Sequence, residues 1–322
     1  MRVGIIGAGM AGLACAEVLL DQGLDVCLFD KGRGPGGRMS TRRVPTPFGE
    51  ASFDHGAQYF TARDPAFLEV VQDWEKRGLV APWLTVDDAA WVGVPAMSSI
   101  IRDLARRHQV AFEKHVQSIV ERGGKWHFQF KEGTAGPFDV AIVAVPAEQA
   151  ATLLSLQDFD MARIAVCARS KPCWTGLFAF QEQLAARQDI LRDRGIIAWA
   201  ARNGSKPGRK GPESWVVQAQ PSWSEDHGEA DAEVICDALL HALGSALGER
   251  LPEPIIATAH RWRFAMSNGT GDLALWNPTK RLGACGDWLQ GPRVESAWLS
   301  GHRLGQRIGE TVNKATAAAM HE

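Results

Sequence analysis

The chain has 322 residues, 45% of them hydrophobic and 22% charged, with a formal net charge of −2 at pH 7. A chain beyond about 250–300 residues divides its core rather than enlarging it, so two lobes are expected. A balance this near zero lacks the basic face that nucleic-acid partners meet, and no run of about 18 apolar residues is present to span a bilayer, so neither a nucleic acid nor a membrane is expected as partner. The six cysteines at positions 15, 27, 167, 173, 236 and 285 form no CxxC pair, and with the nine histidines they show no metal-ligand spacing. They read as small apolar fillers in a reducing compartment, with no metal site. The first residues lack a charged-then-apolar export pattern, which points to a cytoplasmic enzyme.

Residues Arg2–Ile6 read as a short buried strand. Gly7-Ala8-Gly9-Met10-Ala11-Gly12 then gives GxGxxG, and apolar residues from Leu13 to Leu20 continue as a helix ended by Gly23. A second strand, Asp25–Phe29, is closed by Asp30. In this pattern Gly7 turns the chain tightly, Gly9 bares the backbone to a pyrophosphate, and Gly12 lets the helix pack against the strand. The helix start at Met10 and Ala11 offers N–H groups and a partial positive charge to phosphates. Asp30, with Lys31 beside it, stands where a carboxylate takes a ribose diol. The following stretch, KGRGPGGRMSTRR at 31–43, separates FAD from NAD: Gly36-Gly37 permits close backbone approach, and Arg38 can pair with a phosphate.

Residues 64–77 predict an amphipathic helix started by Asp64 and Pro65. Gly93–Met97 reads as a loop, and Ser98 caps a helix through His108. Val110–Phe112, Val116–Val120 and Trp126–Phe130 read as three short strands, and Phe138–Ala144 as an apolar return strand. From about 156, Arg163–Arg169, Trp174–Phe180, Ile196–Ala201 and Trp215–Gln220 suggest an antiparallel sheet. Asn203–Pro212 reads as a mobile, solvated loop whose cations have a second use in greeting phosphates. Residues 229–248 form a helix with Val234, Ile235, Ala238 and Leu239 on one side. Leu282–Cys285 is a short strand before Gly286-Asp287, and 294–312 a helix whose N-terminus suits a negatively charged partner.

Together GxGxxG, an acidic residue and GGR form the pattern of flavin amine oxidase and glutathione-reductase-like FAD proteins. The segment Asp54-His55-Gly56-Ala57-Gln58-Tyr59-Phe60 resembles the D-x-G-A-Q-Y stretch of the renalase family. Gly93–Ile101, Arg261-Trp262-Arg263 and Ala284-Cys285-Gly286-Asp287 are similar to further renalase segments. The resemblance runs from end to end, most specifically in the front third and the last forty or so residues. It implies an α/β flavoprotein with a Rossmann-like FAD-binding domain of the glutathione reductase and p-hydroxybenzoate hydroxylase type, at 1–62, 96–155 and 280–322. Interleaved with it is an α+β substrate domain on an antiparallel sheet, at 63–95 and 156–279.

The resemblance also implies non-covalent FAD, with Gly37, Arg38, Ala57, Gln58, Tyr59, Val116, Gly286, Asp287 and Val294 joining the glycine turn around it. It implies oxidation of 2- or 6-dihydro isomers of NAD(P) to NAD(P)+ by hydride transfer to flavin N5, with O2 reduced to hydrogen peroxide. Such a dihydropyridine expels hydride by means of its own nitrogen lone pair, so no acid–base pair is required, and none is evident in the sequence. Trp199, His260, Trp262, Phe264 and Trp288 are the candidate pocket residues. Each tryptophan has core packing as its plain alternative, and His260 has a structural hydrogen bond. Two other functions stay open: a flavin amine oxidase, in which Tyr59 and a tryptophan would frame the flavin, and a dinucleotide-binding module without turnover.

Overall fold

The computed structural model describes residues 1–319. The chain divides into two compact units: Met1–Gly37, Ile101–Ser170 and Ser267 onward form one, and Arg38–Ile100 with Lys171–Met266 form the other. The expected boundaries shift in four places, one of them residues 96–100, which lie in the second unit. Residues 38–62 lie in the second unit, and 156–170 and 267–279 in the first.

The first unit is built on a six-stranded sheet, in the order Leu275–Asn277, Leu282–Ala284, Val140–Val143, Arg2–Ile6, Asp25–Phe29, Gln109–Ala111. Its strands run parallel except Leu275–Asn277. Arg2–Ile6 is central, with both faces covered, which is why four of its five residues are buried. The Met10–Asp21 helix packs along the Val294–Ala319 helix. Gly301 and Gly305, one turn apart, allow that approach: a Cβ on Gly301 would strike the Ala11 carbonyl, and one on Gly305 the Val18 side chain. A three-stranded antiparallel sheet, Ser118–Arg122, Lys125–Gln129 and Thr134–Phe138, contributes Phe128 and Phe138 to the core beside Phe29, with ring centroids 5.6 and 5.8 Å from it.

The second unit centres on an antiparallel sheet in the order Ile190–Arg194, Ile197–Arg202, Glu213–Ala219, Ser170–Phe180, Ile256–Ser267. On one face Ile235, Leu239 and Leu243 of the Ala232–Leu247 helix meet Phe178, Trp215 and Val217. The other face takes Ala51 and Phe53, from the hairpin of Thr41–Thr46 and Gly49–Asp54, against Leu177, Ala179 and Val216. A small sheet of Phe60–Thr61, Ala90–Gly93 and Val80–Pro82 completes the unit with the Pro65–Lys76 helix, whose Asp64 cap accepts the Ala66 and Phe67 N–H groups.

Several expectations change. Arg163–Arg169 is mostly helical: the helix Phe159–Cys167 starts at Asp158, whose carboxylate accepts the Met161 N–H. Gln109–Ala111 joins the parallel sheet rather than its sequence neighbours, and the helix before it stops at Ala105. The next strand begins at Ser118, which leaves Val116 in the loop before it, buried. The stretch Phe138–Ala144 divides between Thr134–Phe138 and Val140–Val143 in different sheets. Val234 is 59% exposed, so the buried stripe of its helix is Ile235, Leu239 and Leu243. No helix among the described residues is long and apolar enough to cross a membrane.

Candidate functional site

The glycine turn of the first unit is a bare-backbone cradle. Gly7, at φ +105°, passes so close to Ala144 that a Cβ would hit its carbonyl, whereas a Cβ on Gly9 would meet nothing within 4 Å. That space lies at the start of the Met10–Asp21 helix, which has no side-chain cap and no acidic residue in its first turn. Its first N–H groups and positive pole are therefore available to an anion. Met10 and Ala11 are buried there, and Gly37 arrives at φ +51°, within 3.9 Å of the Gly9 Cα when its missing Cβ is added.

Asp30 closes the cradle. Its Oδ2 accepts the Ala8 N–H at 2.8 Å and its Oδ1 the Gly32 N–H at 2.7 Å. A carboxylate has about four lone-pair directions, so two such bonds orient the group and leave capacity for a ribose diol. Lys31 beside it is exposed. This donor-lined, side-chain-free turn, ending in a fixed carboxylate, fits the diphosphate and ribose of a dinucleotide such as FAD.

Farther along the unit, the Gly286 N–H donates to Ser300 Oγ at 3.0 Å, and Asp287 is 5% exposed with its carbonyl accepting the Gln290 and Gly291 N–H groups. Val294 opens the last helix, with Glu295 in its first turn. Trp288 requires a correction. It is 1% exposed, lies in the core of the first unit, and donates its Nε1–H to the Val145 carbonyl at 3.2 Å. A ring enclosed this way is core packing rather than an open pocket wall.

In the second unit the D-x-G-A-Q-Y segment is anchored by a charge network that the sequence did not signal. Asp54 is wholly buried. Its Oδ1 accepts Thr41 Oγ1 at 2.7 Å and the Met97 N–H at 3.0 Å; its Oδ2 accepts Arg209 Nη2 at 2.5 Å and lies 3.4 Å from Lys206 Nζ. The Lys206 and Arg209 side chains are 0% and 2% exposed. The basic loop at 203–212 is thus not the fully solvated loop expected: Lys206 and Arg209 are drawn inside by one carboxylate, and Lys210 stays exposed. Burial alone would raise the Asp54 pKa, but the charges of Lys206 and Arg209 outweigh it and hold the group well below the usual carboxylate range. Burial pulls Lys206 down to about 8, against the attraction of Asp54.

This network holds Gln58. Lys206 Nζ donates to Gln58 Oε1 at 3.1 Å, and the Gln58 amide N–H groups go to the Asp54 and Gly56 carbonyls. The Gln58 side chain is therefore engaged internally. Ala57 N–H donates to the Arg38 carbonyl at 2.8 Å, and the Arg38 guanidinium donates to the Ala265 carbonyl at 3.3 Å.

From this anchor the segment crosses the sheet. At one end the His55 ring lies 5.1 Å from His260 and 5.0 Å from Trp262, and Trp262 Nε1–H donates to the His55 carbonyl at 2.9 Å. In the middle, Gln218 Nε2 donates to the Gly56 carbonyl at 2.8 Å. At the other end Tyr59 sits 5.5 Å from Trp199 and 6.3 Å from Trp83. Trp199 pairs across strands with Arg192 and Gln218, which puts all three on the same sheet face. His260, Trp262 and Phe264 alternate along the edge strand and are half-buried. Burial, helped by the charge on His260, lowers His55 to about 4; burial and then Arg42 lower His260. Both imidazoles are neutral at pH 7, so this face carries aromatic rings and hydrogen-bonding nitrogens rather than an acid–base pair.

Comparisons agree with this geometry. Residues 5–74 match the NAD(P)-binding Rossmann-like domain, and residues 83–308 match the flavin containing amine oxidoreductase family. Mouse (Mus musculus) renalase is 24% identical over 299 residues, which cover 82% of this chain and 84% of renalase. In fold the chain is similar to a protein assigned as a protoporphyrinogen oxidase from Exiguobacterium sp. 255-15 (TM-score 0.74, 13% identity, 96% of this chain and 98% of that one). It is similar also to cyclohexylamine oxidase from Brevibacterium oxydans IH-35A (TM-score 0.70, 14% identity, 97% of this chain and 99% of that one). The cofactor is FAD. With the family match spanning residues 83–308, the chain belongs to the flavin containing amine oxidoreductase family, as a renalase-like member.

Proposed function

We propose that the protein is an oxidase of isomeric dihydro-NAD(P), taking hydride from C2 or C6 of the dihydropyridine and releasing NAD(P)+. The observation that carries this reading is the aromatic face of the second unit, on which both imidazoles are uncharged. Trp199, Trp262, His55 and His260 offer flat rings and hydrogen-bonding nitrogens, and burial keeps both imidazoles uncharged. An uncharged ring bearing a carboxamide suits such a surface, and its own nitrogen drives hydride departure, so no residue need remove a proton first. When bound, FAD supplies the two-electron acceptor, with O2 and a solvent proton carrying the electrons away as hydrogen peroxide. Gly7, Gly9, Gly12 and Asp30 would hold it without a covalent bond.

A second reading, oxidation of an amine, is favoured by the family match and by Tyr59 lying 5.5 Å from Trp199 at an interplanar angle of 37°. Anaerobic mixing separates the two. Bleaching of the flavin by 2- or 6-dihydro-NAD(P), with NAD(P)+ formed one for one, is the expected result. Bleaching by primary amines and none by either isomer would replace this reading with the second.

A further inference from the structure

The edge of the second unit's sheet holds a cation, Arg42, that nothing above uses. Arg42 pairs across its hairpin with Phe53, two residues before His55. It is exposed and makes no hydrogen bond or ion pair among the described residues, yet its charge bears on both His55 and His260. His55 is 7% exposed, and its Nδ1 is buried with no hydrogen-bond partner. His260 packs edge-on to Trp262 at 4.6 Å, and the Trp262 indole is fixed by its bond to the His55 carbonyl. Among the described residues, the carboxylate whose charge reaches His55 is Asp54, already engaged by Lys206 and Arg209.

We propose that Arg42 takes the phosphate of a nicotinamide nucleotide whose ring portion lies on His55, His260 and Trp262, an assignment that rests on the dihydro-NAD(P) reading. A planar guanidinium matches phosphate with two parallel hydrogen bonds, which an ammonium cannot do. The indole and imidazole rings beside it offer stacking area to a sugar or base. A buried nitrogen left unpaired is costly, and a ligand hydroxyl or amide N–H bound there would satisfy it. Both interactions come from one ligand only if it joins a phosphate to a ring-bearing, donor-rich portion.

The test is calorimetric titration of the FAD-loaded protein with NADP+, NAD+, nicotinamide riboside and inorganic phosphate. In Arg42→Ala, affinity for NADP+ and NAD+ should fall about tenfold to a hundredfold, the loss of a charge-assisted pair. Nicotinamide riboside should bind as it does to the unaltered protein, and Arg42→Lys should recover only part of the loss. Equal affinities of Arg42→Ala and the unaltered protein for all four ligands would overturn the subsite. So would an equal loss for the riboside, and so would inorganic phosphate binding as tightly as NADP+. The parent reading fails separately, when dihydro-NAD(P) leaves the flavin of the unaltered protein unbleached.

Discussion

Lys206 and Asp54 meet where water does not reach: Nζ lies 3.4 Å from Oδ2, and both side chains are 0% exposed. Removing the acid leaves two buried cations without a counter-charge, whereas removing the lysine leaves Arg209 to neutralise Asp54. Asp54→Ala should therefore cost about 3–5 kcal/mol in denaturant unfolding, and Lys206→Met distinctly less. Equal costs for the two would show that Arg209 does not neutralise Asp54 in the way its 2.5 Å contact suggests.

The same pair sets a pH dependence. Lys206 is pulled down to about 8 by burial, so the unfolded chain binds its proton more tightly than the folded one. By linkage the penalty is fully present below about 8 and is relieved as pH rises from there toward the ordinary lysine value. Stability of the unaltered protein relative to Lys206→Met should climb across that window, as read from urea midpoints. Asp54 behaves oppositely in sign: its depressed pKa supports the fold above the usual carboxylate range, and that support is lost in strong acid.

In the glycine turn, folding and cofactor binding should separate. Gly9→Val places its side chain in open space, so its melting temperature should match the unaltered protein while the purified protein is colourless. Gly12→Ala drives a methyl into the Gly7 carbonyl and should cost about 1–3 kcal/mol in addition to weakening flavin retention. A yellow, fully loaded Gly9→Val protein would remove the phosphate cradle from the turn.

Asp30→Ala should do both things at once. It strips acceptors from the Ala8 and Gly32 N–H groups, worth about 1–3 kcal/mol when charged, and it removes the carboxylate that would take the ribose diol. Dialysis should therefore release flavin from this variant faster than from the unaltered protein. Asp30→Asn, which keeps one carbonyl oxygen, should fall between the two.

For the chemistry, His55 near pH 4 and His260 below its ordinary value predict a flavin reduction rate that is flat from roughly pH 6 to 7.5. A bell-shaped anaerobic rate in that interval would place an acid and a base in the reaction.

The cradle was legible because every part of it lies within forty residues: strand, glycines, helix, second strand and acid follow one another at fixed spacing. The Asp54 network was not, because its members are some 150 residues apart and a run of Gly, Lys and Arg looks solvated until a carboxylate is placed opposite it. Arg163–Arg169 is a short apolar run, Ile164-Ala165-Val166-Cys167-Ala168, between two arginines, which mimics a buried strand. The overlooked signal was Asp158, a helix cap five residues earlier. Trp288 illustrates the ambiguity of indoles: nothing local distinguishes a ring that faces a ligand from one that closes a core.

The glycine contact of the last helix has a consequence for biosynthesis. Gly301 rests on Ala11, so the first helix finds its neighbour only after residues as far as Gly301 have left the ribosome. Until then one flank of the nucleotide-gripping helix is uncovered, and the slow, long-range closure typical of such topologies still lies ahead. Flavin loading thus waits for the Val294–Ala319 helix, and a nascent chain stalled before residue 294 should capture none.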